Sequence, residues 1–457
     1  MSGVVHVKYL LLGGGSAAAS AAGAIRQRDP SGELWLVSNE SARPYHRPPL
    51  ARGYLRRELR LEDLFVHPGD VYSKWRVTLR TNVRALSLDV PKRSVTLSDG
   101  HVVLFDRLLL ATGALPRGLD VPGAPGMPGT AVAAAVGAAG GAVGGAGSGA
   151  GTGGHAGGLP GAMVLRTAAD ADRILHAIDT AAAVPGRRTP VRTVVVGSTM
   201  LAAEVAASLS KLGLAVTLAT SGVGVMAGLV GAAAERAVRR VLAGQGVEVE
   251  TQPVTQLAGD GRVQRVVLAD GRTLPCDVAV LATGFIPAKD LLRGTTIAAE
   301  KAILTNARGE TSVEGIYAAG ECAAMFDPVF GKHRVLDHWD VSVSRGLIVG
   351  AAMADPHDPG FLGVTVHRAE LGGPDVSRRV VVIGEPRFVR RHLARETASG
   401  VLEFGIDADG RVCSAVAVAM DADAEAAAQR LVRARLDVSG LEDALRDPAA
   451  ELPDVPE

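Results

Sequence analysis

The chain has 457 residues, 48 of them basic and 48 acidic, so its formal net charge is zero. A balanced chain of this length suggests two to four domains and carries no electrostatic footprint for nucleic acid or an anionic membrane. Its three cysteines, Cys276, Cys322 and Cys413, lie far apart with no CxxC, which argues against a disulfide framework, a zinc site or a dithiol redox pair and fits a reducing cytosol.

In chain order, "MSGVVHVKYLLLGGG" enters a strand almost at once, leaving no room for a cleavable targeting segment; a cytoplasmic protein is expected. The strand "KYLLL" is followed by Gly13, Gly15 and Ala18 at the spacing G-x-G-x-x-A, opening a small-residue helix. In a dinucleotide-binding turn the first Gly permits the tight bend and the second lets the backbone approach a pyrophosphate. The third small residue keeps strand and helix close, and the helix N-terminus offers N–H donors to the phosphates. The next strand, "ELWLVS", ends at Asn39-Glu40, where an acid is expected to hold a ribose hydroxyl. A structural glycine turn in an ordinary α/β sheet is the competing explanation. Then "ARPYHRPPLARGYL" places Arg47 and Arg52 on a loop that its prolines keep extended; alone, it reads as a solvated basic loop.

An internal repeat is the most informative pattern. Residues 94–116, "SVTLSDGHVVLFDRLLLATGALP", align without a gap on residues 265–287, "RVVLADGRTLPCDVAVLATGFIP". Asp99-Gly100 falls on Asp270-Gly271, Asp106 on Asp277, and Ala111-Thr112-Gly113 on Ala282-Thr283-Gly284. Each copy predicts a strand, an Asp-Gly turn, a second strand and a buried strand ending in ATG. Between the copies, residues 130–154 are uncharged and almost wholly Gly and Ala. That length would permit a membrane span, but no Leu, Ile, Phe or aromatic anchor is present, and a low-complexity linker or surface insertion is expected.

The second copy is preceded by "VVVGSTMLAAEVA". In the fingerprint frame Gly197 is the first Gly, Thr199 stands at the second and Ala202 at the third. The β-branched Thr199 is expected to point where a pyrophosphate should touch the backbone. The following strand, "AVTLATSG", offers Thr220 and Ser221 where an NADH ribose wants an acid, and no basic residue appears before Arg236 to hold a 2′-phosphate. Two strand–turn–helix units with ATG strands imply an α/β fold of two Rossmann-like domains with parallel sheets. Beyond Ala354, "RRVVVIGEP", "VLEFGIDADGRVCSAVAVAM" and an Ala-rich stretch over residues 422–436 predict strand, hairpin and helix of a small C-terminal α+β domain.

The segments "LLLGGGSAAASAA", "RPYHRPPL", the two ATG repeats and "SVEGIYAAGECAAMFDPVFGKHRVLDHWDVSVSRGLIVG" together resemble the apoptosis-inducing factor family, grouped with ferredoxin and rubredoxin reductases among FAD-dependent pyridine-nucleotide oxidoreductases. The resemblance covers residues 5 to about 125 and 163–353. It implies a glutathione-reductase-type architecture: an FAD domain split over residues 1–129 and 288–354, an insertion at 130–162, an NAD(P)H-binding domain at 163–287 and an interface domain at 355–457, compatible with a homodimer. FAD contacts are implied for Gly13, Gly15, Ser16, Ala17, Ala18, Asn39, Glu40, Arg47, Val83, Ala111, Thr112 and Gly113, with Glu321 on the ribityl chain in place of the usual Asp. Arg52 stands where the family has a Lys near the flavin N5 edge, and its expected ion-pair partner is Glu204. His338 and Trp339 are implied to lie beside the isoalloxazine, with Arg52, Glu204 and His338 as the catalytic set. Gly197, Thr199, Thr220 and Gly284 would line the NAD(P)H site. An aromatic segment that the family carries after this helix is reduced here to Phe361.

The implied activity is hydride transfer from NAD(P)H to FAD, with electrons passed to a ferredoxin-like redox protein, a quinone or oxygen. The alternative is an FAD-binding protein whose nicotinamide site is vestigial, reduced by another donor or serving as an interaction scaffold. In the first reading Thr199 and Ser221 donate hydroxyl bonds to the nucleotide; in the second the unit keeps only its fold.

Overall fold

The computed structural model describes residues 3–125, 158–220, 222–335, 339–360 and 363–455, with the backbone alone for Trp339 and Asp340. Most of the Gly/Ala-rich insertion, together with Ser221, His338 and Phe361, lies outside the described residues. The chain forms two compact units. The first comprises Met1–Pro48, Leu59–Leu115 and Phe285–His367, and the second Pro49–Glu58, Pro116–Gly284 and Arg368–Glu457.

In the first unit, β1 (Val4–Leu12) leads through the glycine turn into α1 (Ser16–Arg28) and on to β2 (Leu34–Val37). β3 (Val77–Arg80), β4 (Ala85–Asp89), β5 (Ser94–Leu97) and β6 (Val102–Leu110) complete a sheet of order β3-β2-β1-β6-β5-β4. β1 pairs in parallel with β2 and β6, which is why its second half is continuously apolar rather than alternating. Two apolar clusters cover the faces, one built on Ile25, Leu36 and Leu109 and the other on Leu10, Val103 and Leu110.

The second unit begins its parallel sheet with β7 (Ala162–Val164) and β8 (Arg192–Val196), followed by α2 (Met200–Lys211), β9 (Ala215–Ala219), α3 (Ala232–Ala243) and β10 (Val247–Glu250). β11 (Val254–Ala258), β12 (Arg265–Leu268) and β13 (Thr273–Pro275) form an antiparallel meander before β14 (Val278–Leu281) re-enters the sheet. The order is β10-β9-β8-β14-β7 with every pair parallel.

The repeat copies differ in one respect from the sequence expectation. In the second copy the last two strands are separate, β13 and β14, in different sheets. In the first they are one nine-residue strand, β6, whose start pairs antiparallel with β5 and whose end runs parallel to β15 (Ile316–Ala318). Pro275 stands where the first copy has Leu104; lacking an N–H, it cannot continue the ladder, and the strand breaks there.

The first unit then adds β16 (Ala323–Asp327), β17 (Lys332–Val335) and α4 (Trp339–Ala354). The C-terminal region has β18 (Val366–Glu370), β19 (Arg379–Gly384), β20 (Arg391–Glu396), β21 (Val401–Ile406), β22 (Val412–Val418) and α5 (Ala422–Arg433), in a sheet of order β18-β19-β22-β21-β20. The hairpin β21–β22 and α5 match the expectation, whereas the charged β18 and β20 give no apolar run to announce them. Within the second unit, buried Glu403 on β21 accepts from the Gly231 and Ala233 N–H groups at the start of α3, supplying the cap that Gly231 has no side chain to give. Among the described residues, no helix is long and apolar enough to cross a membrane.

Candidate functional site

In the first unit the turn after β1 is shaped by glycine. Gly13 has φ +144°, and a Cβ there would overlap the Ala111 carbonyl oxygen at the end of β6. Gly15 is the N-cap of α1 and supplies no capping side chain, and a Cβ built on it meets nothing within 4 Å. Backbone and open space therefore meet at the positive end of a thirteen-residue helix, a cradle suited to a pyrophosphate. The site fits the adenine dinucleotide expected there.

Around this cradle stand most of the residues marked in the sequence. Ser16 is buried, with its hydroxyl 3.2 Å from His46 Nδ1, while Ala17 and Ala18 are buried against the sheet. Glu40 accepts at 2.6 Å from both the Tyr45 hydroxyl and Arg47 Nη2. Burial works against the Arg47 charge, but Glu40, Tyr45 and Glu321 outweigh it and hold its pKa above the ordinary value. Glu321 thus belongs to the same charged cluster, on the turn after β15 where Gly320, at φ +79°, lies against Ala17. Asn39 is exposed, and Val83 is buried with its N–H bonded to the Ser38 carbonyl. Thr112 donates to the Ala288 carbonyl at 2.6 Å, with Gly113 following at φ +69°. His338 and the Trp339 side chain are outside the described residues.

Sequence reasoning missed what holds α1 in place. A Cβ on Gly346 or Gly350 of α4 would overlap the carbonyl oxygen of Ala17 or Ala21, so the two helix backbones touch. The signal was available in "GLIVG", two glycines four apart on one helix face, opposite the alanines of α1.

In the second unit Gly197 repeats the Gly13 geometry: φ is +148°, and a Cβ would overlap the Ala282 carbonyl oxygen, the repeat equivalent of Ala111. Thr199 departs from the sequence expectation. Its hydroxyl is folded back, accepting from the Ala202 N–H at 3.1 Å and donating to the Ala282 carbonyl at 2.8 Å. The helix N-cap captures it, because an N-cap hydroxyl satisfies an otherwise orphaned N–H. α2 is therefore capped where α1 is not. With its proton given to Ala282, Thr199 has no hydroxyl bond to donate to a nucleotide. Thr220 is fully buried, its N–H on the Glu250 carbonyl at 2.9 Å and its own carbonyl accepting from Ser198 Oγ at 2.5 Å. Gly284, at φ +108°, has open space where a Cβ would stand.

Also in the second unit, Arg52 Nε lies 2.7 Å from Glu204 Oε1 on α2, the ion pair expected from the resemblance. Glu370 at the end of β18 was not foreseen. Its N–H donates to the same Glu204 oxygen at 2.9 Å, its carboxylate lies 3.2 Å from Arg52 Nη1, and Arg52 Nη2 donates to the Arg368 carbonyl at 2.7 Å. Burial pushes the Glu204 carboxyl above its ordinary pKa despite Arg52 and the Glu370 N–H. The three cysteines are free and buried; burial pushes the thiols of Cys276 and Cys413 up to about 12 and raises that of Cys322. Among the described residues no group of His, Cys, Asp and Glu could hold a metal ion.

The family described as pyridine nucleotide-disulphide oxidoreductase matches residues 7–346, spanning both glycine turns and both ATG strands. The chain belongs to that family. It is accordingly an oxidoreductase of the type that pairs FAD with NAD(P)H. It is 26% identical over 444 residues to the ferredoxin–NAD(+) reductase subunit of a benzene 1,2-dioxygenase system from Pseudomonas putida, covering 93% of this chain and 92% of that one. It is 28% identical over 455 residues to the ferredoxin–NAD(+) reductase component of a biphenyl dioxygenase system from Paraburkholderia xenovorans, covering 97% of each. The fold is that of a solved ferredoxin reductase from Rhodopseudomonas palustris, with a TM-score of 0.80 at 23% identity over 97% of this chain and 98% of that one.

Proposed function

We propose that this chain is a cytoplasmic reductase that takes a hydride from a nicotinamide dinucleotide onto FAD and delivers electrons singly to a ferredoxin-like redox protein. The observation that carries the reading is the open, uncapped α1 N-terminus over Gly15, in the same unit as the charged cluster of Glu40, Arg47 and Glu321. Bound FAD would supply the conversion from two-electron to one-electron chemistry. The chain's residues would hold it: the α1 backbone would take the pyrophosphate, Glu40 and Arg47 would order the loop beside it, and Glu321 would accept a hydrogen bond from a ribityl hydroxyl. Within the second unit Glu204 and Glu370 hold Arg52, a permanent cation that donates no proton. Three buried, separate thiols leave no dithiol relay, so electrons leave without a disulfide intermediate despite the family's name. Relatives named as ferredoxin reductases over nearly their whole length support the choice of acceptor.

The test is anaerobic. Excess NADH or NADPH is added to the yellow protein, and rapid bleaching of the flavin, reversed by an oxidised ferredoxin, is expected. A protein that holds FAD but is bleached by neither nucleotide would show the second site to be vestigial and overturn the reading.

A further inference from the structure

The second nucleotide site lacks the acid that a Rossmann unit usually carries at the end of its second strand to hold the adenine ribose. In this chain that strand is β9, and the residue after it, Thr220, is turned wholly inward. A carboxylate nevertheless stands at the same end of the sheet. Glu250 is the last residue of the neighbouring strand β10, paired in register with Ala219, and strands in register lie about 4.8 Å apart. The Thr220 N–H on the Glu250 carbonyl at 2.9 Å fixes that adjacency.

The charge at this edge is unbalanced. Glu250 accepts from the Gln252 N–H at 2.8 Å and pairs with Arg272 Nη2 at 2.8 Å. Arg272 is in turn engaged by Asp270 at 2.7 Å, so two carboxylates share one guanidinium. The Gln252 N–H and Arg272 keep the Glu250 carboxyl below its ordinary pKa, so it is ionised at neutral pH. Between Lys211 and Arg236 the sequence has no basic residue. A ribose diol at the end of β9 meets an acceptor within one strand's reach, whereas a 2′-phosphate there meets two carboxylates that share the single Arg272 guanidinium.

Resting on the reductase reading above, we propose that Glu250, borrowed from the adjacent strand, replaces the missing ribose acid and makes this site select nicotinamide dinucleotides without a 2′-phosphate. NADH, rather than NADPH, is then the reductant.

The experiment measures binding to the FAD-loaded protein by calorimetry, with 5′-AMP and 2′,5′-ADP as probes that differ only in the 2′-phosphate, alongside NADH and NADPH. The expected result is that 5′-AMP binds at least about tenfold more tightly than 2′,5′-ADP, as a like-charge clash requires. Glu250→Gln, which keeps the side chain's size and its bond from the Gln252 N–H, should narrow that ratio toward one. Arg272→Ala should widen it by exposing both carboxylates. Melting curves of the variants check that each is folded; Glu250→Ala serves as a second variant if Glu250→Gln alters the loop. Equal or tighter binding of 2′,5′-ADP by the wild-type protein overturns the proposal, as does a selective loss of 2′,5′-ADP binding in Arg272→Ala, which would make Arg272 a phosphate clamp. If NADH bleaches the flavin while the probes are not discriminated, the selection fails and the reductase reading stands. If no nucleotide binds, both fall.

Discussion

Exchanging the residues at the two cradles, Gly15→Thr in the first and Thr199→Gly in the second, should move folding and binding in opposite directions. Removing the Thr199 side chain deletes a cap on the Ala202 N–H and a bond to the Ala282 carbonyl, together worth about 1–2 kcal/mol. It also frees the Ala202 N–H at the helix N-terminus. A phosphate oxygen accepting from it gains about 1.5–3 kcal/mol, so NADH affinity should rise roughly ten- to a hundredfold even as the protein loses stability. Thr199→Ser keeps the cap and should bind NADH much as the wild type does. Gly15→Thr inverts this: its Cβ meets no protein atom within 4 Å, so the chain should fold at near wild-type stability while the side chain occupies the pyrophosphate's space. Urea titrations give the stabilities, nucleotide titrations the affinities, and the ratio of flavin to protein absorbance the FAD content. A Thr199→Gly protein that is less stable but binds NADH no better would refute the argument that the cap competes with the phosphate. A Gly15→Thr protein that retains full FAD would refute the placement of the pyrophosphate over Gly15.

Two further outcomes follow from the packing and charge of the sites. Gly346→Ala drives a methyl group into the Ala17 carbonyl and should cost about 1–3 kcal/mol, with lowered FAD content because α1 must shift; an unchanged melting temperature and flavin content would contradict the close helix contact. Glu204 has a folded-state pKa raised by burial, so it binds its proton more tightly folded than unfolded, and its contribution falls as pH rises from the ordinary carboxylate range through its raised value. In urea titrations over that window, wild type should lose stability relative to Glu204→Gln as pH increases; a difference that is flat, or that rises with pH, would contradict the assignment.

Much of the site was legible because its signals are short-range. The spacing of Gly13, Gly15 and Ala18 is a demand of one turn on three residues, and φ values of +144° at Gly13 and +148° at Gly197 show both copies answering it. The ATG strands were readable because strands buried on both faces give unbroken apolar runs. Glu370 was not legible: it meets Glu204 across 166 residues of chain, and nothing in a charged strand end marks which distant carboxylate it will join.

The two strand–turn–helix units, their repeat and the family follow from residues a few positions apart, whose backbone requirements are local. What those units do with their irregular residues depends on contacts between distant parts of the chain. Thr199 reads as an obstruction until the Ala282 carbonyl, 83 residues away, and the Ala202 N–H draw its hydroxyl back into the helix cap. Thr220 stands in the ribose acid's place in the sequence, but the fold buries it and the pairing of β10 with β9 sets Glu250 at the same edge. The Thr199 hydroxyl is turned by a carbonyl that the fold brings within 2.8 Å, and Glu250 reaches its edge through strand pairing; neither partner is a sequence neighbour.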